Sequence, residues 1–143
     1  MSDNAPFVHH VAISVSDFER SEEFYTAVLA ELGITPLFRA KGVAEYWRPE
    51  EDRLSVSVEH VRHPESVTRG LHIAFAAADR AQVDAFHAAA VTIGAESRHA
   101  PRVWPEYRAY CAFVRDPDGN NVEALHKEIP PDQAPSAASV GTD

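Results

Sequence analysis

The chain has 143 residues, 45% of them hydrophobic, which is enough for one domain to bury a core without staples. A formal charge of −9, with thirteen Lys and Arg that nowhere cluster, argues against a nucleic-acid partner. The single cysteine, Cys111, cannot form an internal disulfide or a CxxC zinc knuckle, so a metal site would have to draw on His and carboxylate. With no apolar run of membrane-spanning length, and neither a basic start nor an apolar segment in MSDNAPF, a spanning helix and a secretory signal are not expected. The default expectation is a cytoplasmic protein that handles small molecules.

In chain order, residues 8–15 alternate, with Val11, Ile13 and Val15 on one face and His10, Ala12 and Ser14 on the other, which predicts a strand packed on one side. A helix follows, capped either by Asp17 or by Ser16 with Glu19 as a capping box. Its stripe is Phe18, Phe24, Tyr25, Val28, Leu29 and Leu32, and Gly33 stops it. Strand-like segments come next at about 35–40, 43–47 and 54–60. Residues 62–70 read as a linker.

The pattern then starts again. His10 to Gly33 lies over His72 to Gly94, with an Asp seven residues after each His (Asp17, Asp79), a Phe seven further on (Phe24, Phe86), and one residue fewer in the second copy. In that copy Ile73 and Phe75 face the helix, while His72, Ala74 and Ala76 face away. Asp79 with Gln82 predicts a cap, and Val83, Phe86 and Ala90 form the helical stripe. Strands are expected at 96–99, 107–114 and 121–125, the last two joined by a turn at Asp116-Pro117-Asp118-Gly119. The organisation is therefore α+β: a first βαβββ module at 7–61, a linker at 62–70, a second module at 71–127, and a Pro-, Ser- and Ala-rich tail at 128–143 expected to be mobile.

Two such modules, an opening His, the D-x-x-x-S-x-x-F-Y helix (Asp17, Ser21, Phe24, Tyr25) and a closing DPDGN-x-x-E (Asp116 to Glu123) resemble the vicinal oxygen chelate superfamily. That superfamily includes glyoxalase I, extradiol dioxygenases, methylmalonyl-CoA epimerase, and the fosfomycin and bleomycin resistance proteins. The resemblance spans about residues 7–126. It implies a cup-shaped, partly open mixed β-sheet barrel with helices outside, a divalent metal (Fe, Mn, Ni, Co or Zn), and a homodimer.

By the same resemblance His10, His72 and Glu123 are the metal ligands. The residues agree in one respect: both histidines lie on the strand face opposite the helix, and two imidazoles with one carboxylate leave coordination positions open for substrate. The glyoxalase I pattern has a second Glu in the first module, but laying RPEED over RDPDG puts Ser55 or Ser57 there; Glu59 becomes a fourth ligand or a base only if the register shifts. Trp47, Ser57, Trp104, Tyr107 and Arg108 are expected to line a substrate cup, with Tyr110 as a substrate or proton-transfer contact. His9, His60, His63, His87, His99 and His126 are expected on the surface or on helices, and Cys111 as a small buried filler. The expected activity is metal-dependent, of dioxygenase or glyoxalase-like lyase or isomerase type. The competing expectation is a metal-free protein that sequesters a small molecule or drug.

Overall fold

Each half of the chain runs strand, helix and three strands, and each folds into its own four-stranded mixed sheet. The computed structural model describes residues 7–128. The first half is β1 (Val11–Val15), α1 (Phe18–Ala30), β2 (Thr35–Ala40), β3 (Val43–Arg48) and β4 (Arg53–His60), in sheet order β1-β4-β3-β2. The second is β5 (His72–Ala76), α2 (Arg80–Thr92), β6 (Ser97–Trp104), β7 (Ala109–Arg115) and β8 (Asn121–Lys127), in order β5-β8-β7-β6. In both modules the first strand pairs parallel with the last, and the remaining pairs are antiparallel.

Helix α1 begins at Asp17, whose carboxylate accepts from the Arg20 amide, so the alternative box of Ser16 and Glu19 is not used. Asp79 does the same for the Gln82 amide at α2. The helices end before Gly33 (φ +75°) and Gly94 (φ +85°), where a side chain would be strained. Phe24 and Phe86, equivalent in the repeat, are both buried in a single core to which both modules contribute. Truncating either ring to Ala would cost ~3–5 kcal/mol.

The expected α+β architecture of two βαβββ modules with an open arrangement of sheets is found: among the described residues the two mixed four-stranded sheets do not close into a barrel. Two strand bounds need correction. Strand β6 runs to Trp104, well past His99. Strand β7 starts at Ala109, because Pro105–Tyr107 form a 3-10 turn that Pro105 initiates and Arg108 ends in the left-handed region (φ 54°, ψ 44°). The expected tail lies, apart from Glu128, outside the described residues. Among the described residues no helix is long and apolar enough to cross a membrane.

The Asp116-Pro117-Asp118-Gly119-Asn120 turn ties the modules together. Asp116, 4% exposed, accepts from the Tyr25 hydroxyl (2.6 Å), the Asn120 side-chain amide, and the Asp118 and Asn120 backbone amides (2.9 Å each). Asp118 accepts from the Ser16 hydroxyl and backbone amide, while the Asn120 side chain reaches Thr68 and Leu71. Burial first, then the charge of Asp116, holds the Tyr25 hydroxyl well above its ordinary pKa, so it stays a donor. One turn thus fastens β1, α1 and the linker to β8.

Candidate functional site

The strand register decides which residues of the two modules are equivalent. In the parallel pair β1–β4, Ala12 lies opposite Ser57; in β5–β8, Ala74 lies opposite Glu123. Ala12 and Ala74 each stand two residues after the opening His, so Ser57 occupies the place of Glu123 and Ser55 is ruled out. Glu59 lies opposite Ser14, and its counterpart opposite Ala76 is Leu125. The Ser57 hydroxyl donates to Glu59 Oε2 at 2.9 Å, so the first-module carboxylate is held one pleat repeat, about 7 Å, beyond the Glu123 position.

In the second module His72 Nε2 meets Glu123 Oε1 at 2.8 Å. Glu123 is 4% exposed, whereas the His72 side chain remains 56% exposed. Glu123 projects from the sheet face opposite α2, together with Leu125 and Lys127 by the two-residue period. On this face Ala109, Cys111 and Phe113 form a small apolar cluster with Trp104 and Leu125. Burial, reinforced by the hydrogen bond to Glu123 and its charge, pushes the Cys111 thiol up to about 12. Without a metal Cys111 is therefore a protonated thiol and no nucleophile at neutral pH.

A cavity of ≈ 350 Å³ opens beside this pair, lined by His72, Glu106, Tyr107, Arg108, Glu123, Leu125 and Lys127. Its size falls within the range of small-ligand pockets. Trp104 stacks on Tyr107 at 5.8 Å, carries the Arg102 guanidinium at 3.4 Å, and meets Phe113 edge-on; Phe113 in turn lies 6.0 Å from His72. A second cavity of ≈ 260 Å³ lies between α1, the end of α2 and the β7–β8 turn. It has no imidazole; of its three carboxylates Asp116 already serves Tyr25 and Asn120, Glu96 pairs with Arg115, and Glu23 is exposed, so the chemistry belongs to the first.

Of the expected site residues, the structure brings together His72, Glu123, Tyr107 and Arg108, with Trp104 adjoining. His10 does not join them: it precedes β1 on the other sheet, its ring hydrogen-bonded to His9 at 2.9 Å. Among the described residues no three His, Cys, Asp or Glu side chains are grouped closely enough to share a metal ion. Ser57 and Glu59 belong to the first sheet, and Trp47 sits there at a bulge opposite Leu54. The buried indole N–H groups of Trp47 and Trp104 have no acceptor among the described residues. Tyr110 lies on the opposite side of β7, facing α2, where its hydroxyl donates to Asp84 Oδ1 at 2.7 Å and Arg80 covers its ring. The hydrogen bond to Asp84 raises its pKa. The expectation of a substrate contact through Tyr110 is corrected accordingly.

Sequence reasoning missed Phe113, Leu125, Lys127 and Glu106, and placed His99 only on the surface. His99 is exposed, yet its ring packs edge-on against Trp104 and Phe113. The alternation from Glu123 carried the signal for Leu125 and Lys127. For Phe113 no signal existed, since Ala112, Phe113 and Val114 are all apolar.

The model of the Glyoxalase/Bleomycin resistance protein/Dioxygenase superfamily matches residues 7–124. The chain belongs to this superfamily. A glyoxalase/bleomycin resistance protein from Albidiferax ferrireducens T118 is similar in structure, with 33% identity over 85% of this chain and 98% of that one and a TM-score of 0.67. Two further superfamily structures share the fold: lactoylglutathione lyase from Agrobacterium tumefaciens (20% identity, 87% and 96% covered, TM-score 0.60) and the fosfomycin resistance protein FosX from Mesorhizobium loti (18%, 87% and 94%, 0.61). No curated protein sequence matches the chain. The superfamily explains why two βαβββ modules recur in one chain, and it leaves the reaction to be argued from the site.

Proposed function

We propose that this superfamily member is a metal-dependent enzyme acting on a small oxygenated substrate, through glyoxalase-like lyase or isomerase chemistry or through dioxygenation. The observation that carries this reading is the His72–Glu123 pair, a nearly buried carboxylate held by an imidazole at the mouth of a cavity. A carboxylate so poor in water is costly unless paired, and imidazole with carboxylate is a donor set suited to Fe, Mn, Ni, Co or Zn. Two donors fit the group but do not complete it. His10, at the repeat-equivalent position, is the third, and we infer that a second copy of the chain supplies it in a homodimer. A bound cation would polarise paired substrate oxygens as a Lewis acid.

The chain's own groups have separate tasks. Glu59 Oε2, held by Ser57, is a carboxylate that can accept a proton, and dimer formation would bring it towards the same cavity. Trp104 and Phe113 back the ring of Tyr107, which with Leu125 gives the cavity its apolar lining. The buried thiol of Cys111 accords with a reducing, cytoplasmic setting. Elemental analysis of protein purified without chelator, together with light scattering, tests the reading. About one metal per chain in a dimer is expected, and a stoichiometry near zero that none of the five metals raises would refute it.

A second reading, a metal-free ligand-sequestering protein, is favoured by one observation: within one chain His72 and Glu123 satisfy each other without a third ligand. Ligand affinity unchanged in the His10→Ala/His72→Ala variant would establish it.

A further inference from the structure

Resting on the reading of His72 and Glu123 as the reacting end, we propose that the substrate carries a second, anionic group about 10–13 Å from its reacting oxygens, bound by Arg108 and Lys127 at the far end of the same cavity.

The distance comes from β8. Glu123, Leu125 and Lys127 share one face, and four residues at ~3.3 Å each separate the carboxylate of Glu123 from the position of Lys127 by about 13 Å. Lys127 pairs with Ala109, and the Glu128 amide donates to the Arg108 carbonyl, so Arg108 and Lys127 stand side by side at the end remote from His72. The Lys127 ammonium is anchored on the Tyr107 carbonyl at 2.6 Å. Between the two ends lies Leu125, which offers nothing polar. The cavity thus has an imidazole–carboxylate head, an apolar middle and a cationic tail.

The tail end is cationic in an acidic molecule. The chain carries −9; Arg39, Arg48, Arg53, Arg69, Arg80 and Arg115 each have an acidic partner, whereas Arg108, like Arg20, Arg62, Arg98 and Arg102, has none among the described residues, and of these five Arg108 is the one that lines this cavity, beside Lys127. Arg108 lines the cavity, and among the described residues its guanidinium has neither an ion pair nor a hydrogen bond. Glu106 also lines the cavity, which leaves the tail end with one net positive charge. The left-handed backbone of Arg108 (φ 54°) is shared by Asp52 (φ 47°), which closes the 3-10 turn of the first module, so that conformation belongs to the turn. At this turn position the second module carries a planar, two-pronged donor where the first carries the acid Asp52. Carboxylate, phosphate or phosphonate would satisfy this geometry, and a cationic or wholly neutral tail would not.

The test uses two probes, 4-(3,4-dihydroxyphenyl)butanoate and its primary amide, which share a head of paired oxygens and differ only in tail charge. Each is titrated calorimetrically into Mn²⁺-loaded full-length protein at low salt. The carboxylate should bind at least about tenfold tighter than the amide. Arg108→Gln and Lys127→Gln should each reduce that ratio to below about threefold while metal content and melting temperature stay unchanged, and raised salt should shrink it further. Equal affinity for the two probes, binding of neither, or a preference that survives in the double variant overturns the inference. Failure of the metal reading looks different: a carboxylate preference that depends on Arg108 but appears in protein that takes up no metal refutes the metal and keeps the anionic tail. Full metal loading with no preference does the reverse.

Discussion

Substituting Asp116 by Asn tests whether the Asp116–Asn120 turn holds the modules together. Asp116 receives four hydrogen bonds, and every partner is a donor: Tyr25 and the Asn120 side chain on Oδ2, and two backbone amides on Oδ1. An amide group has one oxygen, so whichever way Asn is turned its NH₂ faces two donors. At roughly 1.5–3 kcal/mol for each hydrogen bond to a charged acceptor, two losses give about 3–6 kcal/mol, a large share of the ~5–15 kcal/mol typical of a domain. Tyr25→Phe removes one of the four and should cost about 1.5–3 kcal/mol, or roughly 5–10 °C in melting temperature. Urea unfolding followed by circular dichroism measures both. The double variant should show a coupling of at least about 1 kcal/mol, because both changes act on one bond. A Tyr25→Phe protein within about 0.5 kcal/mol of wild type, or an Asp116→Asn protein of undiminished stability, would refute the reasoning.

Three further outcomes follow from the site. In chelated protein His72→Ala should destabilise by about 1–2 kcal/mol, because it leaves the nearly buried Glu123 carboxyl without its imidazole partner, and Glu123→Gln should remove most of that penalty; chemical denaturation of the four-member cycle checks this. Cys111 should resist a disulfide reagent at pH 8.5 in native protein and react promptly in urea. Its pKa is raised on folding from 9.0 to about 12, so its contribution to stability is complete below pH 9 and is lost as pH rises towards about 12; Cys111→Ser should flatten the fall in melting temperature over that window. Ser57→Glu places a carboxylate where Ser57 is 4% exposed and beside Glu59, so it should lower the melting temperature without metal and recover with Mn²⁺ or Zn²⁺; an equal loss with and without metal would count against Ser57 as the counterpart of Glu123.

The repeat was legible from residues alone because both periods it rests on are local. Alternation fixes which face of a strand packs, and helical spacing with an Asp cap and a Gly stop fixes α1 and α2. The pairing of His72 with Glu123 could be anticipated on the same grounds, since each is set on the open face by its own strand. Register could not: Ser55 and Ser57 share a face, and only the pairing of Ala12 with Ser57 in the folded sheet separates them. Tyr110 and Phe113 lie in an unbroken apolar run, where both faces of β7 are covered, one by α2 and the other by Trp104 and Leu125, so the sequence carries no alternation to read. The position of His10 on a different sheet from Glu123, and the inter-module fastening through Asp116, depend on contacts between residues up to about a hundred positions apart. No local period encodes those, and only the packed chain decides them.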